Sequence, residues 1–214
     1  LTDWLLGTEP AMRIRMVMAS FAVLMMALCI VVVLMLVHAG FGRKDWALWW
    51  TLCAAGGLIS VLVLIRSGWS RRLQDPSMTQ WQIRYALLCN AAAYVVLGQA
   101  RGVTPVILSL VLMFGIFGMT ARQLAANMAY ALLVFAAALA TVAMLDEPGR
   151  SPALEAAHGA MIVLVLMGST FIAIRLQRIR RRLMQQKHQL SQALERISHL
   201  ATHDELTGLV NRRH

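Results

Sequence analysis

The chain has 214 residues, 59% of them hydrophobic and only 14% charged, whereas a soluble domain carries about a quarter charged residues. The charge is missing from long blocks and gathered between them, which excludes an ordinary soluble enzyme and indicates repeated membrane spans. The formal charge of +10 does not point to nucleic acid, because the basic residues sit at the ends of apolar blocks and beyond Arg175, where they suit cytoplasmic loops and anionic headgroups.

Taken in chain order, residues 1–15 form a short cytoplasmic segment ending in Arg13 and Arg15. Residues 16–174 are expected to form an all-α bundle of six transmembrane helices, since a bilayer core of about 30 Å needs roughly 20 helical residues. The expected spans are 16–37, 46–65, 85–99, 104–119, 123–145 and 156–174, with the third and fourth the shortest. Loop charges support the count. Arg13 and Arg15, then Arg66, Arg71, Arg72 and Arg84, then Arg122, then the dense Arg run after span six fall on one side. Arg43 and Lys44, Arg101, and the acidic 146–155 segment fall on the other. This places both termini in the cytoplasm. Trp46, Trp49 and Trp50 at the start of span two, with Trp69 and Trp81, fit the interfacial belt.

Within the spans, Ala54, Ala55, Gly56 and Gly57, and Gly115 with Gly118, would let helix backbones approach closely. Cys29, Cys53 and Cys89 have no metal-ligand spacing and read as packing residues. Asn90 and Tyr94, at i and i+4, share one face of span three, and Asn127 and Tyr130 lie in span five. These polar groups suit interhelical hydrogen bonds or the wall of a ligand cavity. On the periplasmic side His38 ends span one, His158 begins span six and Arg101 joins spans three and four. Both histidines sit comfortably at an interface. They could equally be axial ligands for haem or bind a metal, or Arg101 could take the head group of an amphipathic acid or lipid. Arg101 could also meet one of Asp146, Glu147 and Glu155. The cofactor, if any, is left open.

The stretch 175–202 contains neither Gly nor Pro and is expected to continue span six as one helix. Leu176, Leu183, Leu190 and Ile197 take one seam position of a heptad, and Ile179, Gln186, Ala193 and Leu200 the other. This predicts a parallel coiled coil and hence a homodimer, with Gln186 fixing register.

Residues 203–214 read His-Asp-Glu-Leu-Thr-Gly-Leu-Val-Asn-Arg-Arg-His. This resembles the opening of GGDEF (diguanylate cyclase) domains, D-x-L-T-G-L-P-N-R-R, through Asp204, Leu206, Thr207, Gly208, Leu209, Asn211, Arg212 and Arg213, with Val210 in place of the usual proline. Physically it is a helix stop, with capping side chains and a flexible turn. The resemblance implies a sensory and dimerisation module that controls synthesis of cyclic di-GMP from GTP. The GTP, the Mg and every catalytic residue would belong to a domain following His214, so none is expected in this chain. Signal transmission would run through the seam residues to Asp204, Leu206, Thr207, Gly208 and Asn211. Alternatives are the sensor region of a histidine kinase, though no Arg-Thr-Pro follows His203-Asp204-Glu205, and a transporter, which would not explain the heptads.

Overall fold

The computed structural model describes residues 10–73, 75–115, 119–145 and 151–202, with side chains for 12–73, 75–113, 119–145 and 151–197. Regular structure among these residues is entirely helical. The α-helices are α1 (Pro10–His38), α2 (Lys44–Arg66), α3 (Thr79–Val96), α4 (Thr104–Gly115), α5 (Ala121–Met144) and α6 (Pro152–Thr202). Short 3-10 helices at Trp69–Arg72 and Gly98–Val103 fill two of the connections.

Local chemistry sets these boundaries. Proline is tolerated as the first residue of α1 and of α6 because an N–H there has no intrahelical acceptor. Helix α1 therefore begins at Pro10 and takes Arg13 and Arg15 into its first turns, where the sequence suggested a separate segment. Helix α5 opens with a capping box. The Gln123 N–H donates to Thr120 Oγ1, and the Thr120 N–H donates to Gln123 Oε1 at 2.8 Å. Before α3 the Asp75 carboxylate accepts the N–H groups of Ser77 and Gln80, and Met78 takes a left-handed φ of 51° to enter the helix.

Among the described residues four helices, α1, α2, α5 and α6, are long and apolar enough to cross a membrane. The other two do not meet this measure, for different reasons. Helix α4 has 12 described residues, a rise of about 18 Å. Helix α3 starts six residues earlier than its apolar stretch suggests and carries Gln80, Gln82 and Arg84 in its first turns. It tolerates them because it is the most enclosed helix. Its residues Leu87, Ala91 and Tyr94 join the core shared with α4, α5 and α6, while Cys89, Ala93 and Val96 join the core shared with α1 and α2.

The contacts of α3 with α2 are close. A Cβ on Gly57 would overlap the Tyr85 ring, whose hydroxyl donates to the Cys53 carbonyl. The Trp50 indole N–H donates to the Cys89 carbonyl at 2.8 Å. Ala54 is buried in the same contact, but Gly56 faces open space. Gly115 and Gly118 lie outside the described side chains. Helix ends alternate from one end of the bundle to the other. At one end the α1–α2 turn meets the end of α3, with the Arg43 N–H donating to the Val96 carbonyl and Gly98 in a left-handed turn against the Phe41 carbonyl. At the other, Met12 and Met16 of α1 pack with Ile65 and Met78.

The chain divides into two compact units, Leu1–Ala173 and Ile174–His214. Among described residues the second is helical as far as Thr202. Its Ile179, Leu183, Leu190 and Ile197 are exposed, Leu183 by 58%. The side chain of Leu200 and the motif residues Asp204, Leu206, Thr207, Gly208 and Asn211 lie outside the described residues.

Candidate functional site: a buried carboxylate clamp

The 3-10 helix Gly98–Val103 turns the chain between α3 and α4 and carries Arg101 inward, where it is only 2% exposed. A buried guanidinium needs a counter-charge and acceptors for its N–H groups. Arg101 finds both. Its Nη1 lies 2.7 Å from Glu155 Oε1, and its Nε donates to the Gly98 carbonyl. The second carboxylate oxygen of Glu155 accepts the Tyr94 hydroxyl proton. The Arg101 guanidinium carbon also sits 5.5 Å from the Tyr94 ring centroid, a cation–π contact.

Tyr94 is fully buried, and two rings meet it edge-on: Phe135 with centroids 6.4 Å apart and His158 at 6.1 Å. Glu155 and His158 are three residues apart on the first turns of α6, so both face α3. His158 is 8% exposed, and its Nδ1 has no hydrogen-bond partner. A Cβ on Gly102 would lie 3.0 Å from His158 Nε2, so the His158 ring would have to give by a few tenths of an ångström to admit one. One turn before Tyr94, the Asn90 side-chain amide donates to the Thr104 carbonyl at 3.1 Å, and Thr104 Oγ1 donates to the Arg101 carbonyl. The face that Asn90 and Tyr94 share thus ties α3 to the start of α4 through one residue and to the start of α6 through the other.

Of the five candidate ligand residues, the structure brings together Arg101, Tyr94, Asn90 and His158 within one network. His38 is exposed at the end of α1, beside Lys44 on a shallow groove, and no contact links it to these side chains. Among the described residues no group of three or more His, Cys, Asp or Glu is placed to hold a metal. Sequence reasoning named Glu155 only as one of three acids near Arg101. It missed Phe135 and Gly102. The legible signal was the Glu155–His158 spacing, which puts both on one helix face.

Two further features bear on ligands. Asn90 stands in the wall of an apolar cavity of about 80 Å³ between α1, α2, α3 and α4, with Met26, Cys29, Trp50, Cys89 and Val111. Its Oδ1 is buried and unpartnered. At the opposite end of α3, Arg84 Nε donates to Asn127 Oδ1 at 3.1 Å, and Asn127 Nδ2 donates to Met119 Sδ. Arg84 is therefore a helix-packing residue, not a loop charge.

Both oxygens of Glu155 are occupied by protein donors, so the clamp is a satisfied network rather than an acid or base waiting for substrate. What it fixes is the first turn of α6. Comparison with known proteins finds no matching family, no matching curated protein and no matching solved structure.

Proposed function

We propose that this chain is the membrane sensory and dimerisation module of a diguanylate cyclase, with six spans and both termini in the cytoplasm of a bacterium. The observation that carries the reading is α6. A single helix, Pro152–Thr202, begins at the Arg101–Tyr94 clamp and ends where the GGDEF-like residues start, with the seam residues Ile179, Leu183, Leu190 and Ile197 exposed along it. A helix held at one end and paired at the other can pass a displacement between them.

The six-span scheme draws support from the alternation of helix ends and from the enclosure of α3, whose polar residues meet protein rather than lipid. Polar groups within a bundle are tolerated when neighbouring helices satisfy them. The stimulus enters at the periplasmic end, where an anionic head group on Arg101 would displace Glu155 and free the first turn of α6.

Fusing the chain through Arg213 to an active cyclase domain tests both parts at once. GTP is cytoplasmic, so cyclic di-GMP accumulates in cells only if the C-terminus is inside. Leu183→Lys with Leu190→Lys puts like charges on the dimer axis and should remove most of that production. Production indifferent to these substitutions would rule out dimerisation through the seam as the source of control.

A further inference from the structure

The seam residues of α6 fix the identity of their neighbours in a paired helix. With Leu176, Leu183, Leu190 and Ile197 at position a and Ile179, Gln186 and Ala193 at position d, the flanking g positions hold Arg175 and Arg182. The flanking e positions hold Arg180 and Lys187. Two copies leave one membrane in the same direction, so their helices run parallel and each g residue faces the e residue five places on in the partner. Arg175 then faces the partner's Arg180, and Arg182 faces the partner's Lys187. Both pairs are repulsive, on both sides of the dimer. Flanks of this kind normally carry opposite charges that select the partner. The only acid between 175 and 197 is Glu195, which falls at the outward f position and not on a flank of the seam.

We propose that pairing of two copies along α6 builds a cationic site for the phosphate of an anionic phospholipid from Arg175 of one copy and the partner's Arg180, with Arg182 and the partner's Lys187 continuing the basic flank away from the membrane. The inference rests on the homodimer of the preceding section. Guanidinium groups match phosphate oxygens in a two-pronged geometry, and the inner pair presents two of them on each flank of the dimer. Depth selects the lipid as the source of phosphate. The apolar run ends at Ile174, and Arg180 lies about 9 Å further along the helix, within the headgroup layer. Lys187 lies about 20 Å along, where the surface potential has largely decayed. The inner pair is therefore bridged by headgroups, and the outer pair feels them weakly. Headgroup charge thus decides whether the first two heptads close.

The test is dimer affinity of the full chain in vesicles of phosphatidylcholine and in vesicles with about one-third phosphatidylglycerol, where anionic lipid should tighten the dimer by about tenfold or more. Arg180→Glu with Lys187→Glu turns both pairs attractive. That variant should dimerise in phosphatidylcholine as tightly as the native chain does in the anionic vesicles, and should lose its response to lipid charge. A native dimer indifferent to lipid charge, or a double variant that is weakened, overturns the site. Inorganic phosphate restoring the dimer in phosphatidylcholine overturns the lipid as its ligand. Leu183→Lys with Leu190→Lys separates the two readings. If it leaves dimerisation unchanged in both membranes, pairing along the α6 seam is wrong; if it abolishes dimerisation while lipid charge has no effect, only the phosphate site is wrong.

Discussion

Arg101 and Glu155 show how much a single charge depends on its partner once both are out of water. Removing one member of a buried pair strands the other, which costs about 3 kcal/mol or more, while replacing both with apolar residues can be nearly neutral. Glu155→Gln should therefore lower the stability of the detergent-solubilised chain by about that amount, and Arg101→Met with Glu155→Leu should recover most of it. Thermal or denaturant unfolding of the three proteins checks this, and a double variant worse than either single one would show that the pair is not the source of the effect. Tyr94→Phe should cost less, about 2 kcal/mol, as loss of one hydrogen bond to a charged group. The need of Arg101 for a carboxylate was legible in the sequence, because a lone arginine in a connection between apolar blocks has few other ways to be satisfied. Which acid supplies it was not. Three candidates follow span five, and only the folded position of α6 brings Glu155 to Tyr94. His38 and His158 illustrate the reverse. Equal expected depth says nothing about position around the bundle, and the two histidines meet different surroundings.

At the scale of the helix, apolar run length located the end of α1, both ends of α2 and α5 and the start of α6 within a few residues, because lipid contact leaves little freedom in composition. It failed at α3, whose helix begins at Thr79 and not near Tyr85. A helix shielded by its neighbours no longer needs to be apolar, so hydropathy misplaces its ends. Helix α4 begins at Thr104 as foreseen, and its described residues run to Gly115. The small residues of α2 give a sharper test, since adjacent glycines differ in environment. Gly57→Ala forces a methyl group into the Tyr85 ring and should destabilise the chain by about 1–3 kcal/mol through overpacking. Gly56→Ala meets open space and should be neutral or slightly stabilising, since glycine weakens a helix interior by about 1 kcal/mol relative to alanine. Equal effects of the two would mean that α2 and α3 do not meet through Gly57.

For the whole molecule, the question is whether α6 would transmit a discrete rearrangement to a cyclase domain fused to it or merely tether that domain. Helix α6 is 51 residues long, and its heptad positions keep one phase from Leu176 to Ile197. A seam with one phase can shift only between registers that bury apolar side chains, so a small movement at the Glu155 end would be read out as a switch. Phase is open to direct manipulation. Four residues inserted after Gln186 rotate everything downstream by about 400°, close to a whole number of turns, while two residues rotate it by about 200° and carry the seam to the opposite face. In the cyclase fusion, the two-residue insertion should change cyclic di-GMP production far more than the four-residue one. Helix content measured by circular dichroism should be the same in both, which separates loss of phase from loss of folding. A flexible tether would treat the insertions alike, since its output depends on length and not on rotation. Equal production from both would therefore leave the clamp at Glu155 without a route to the downstream domain.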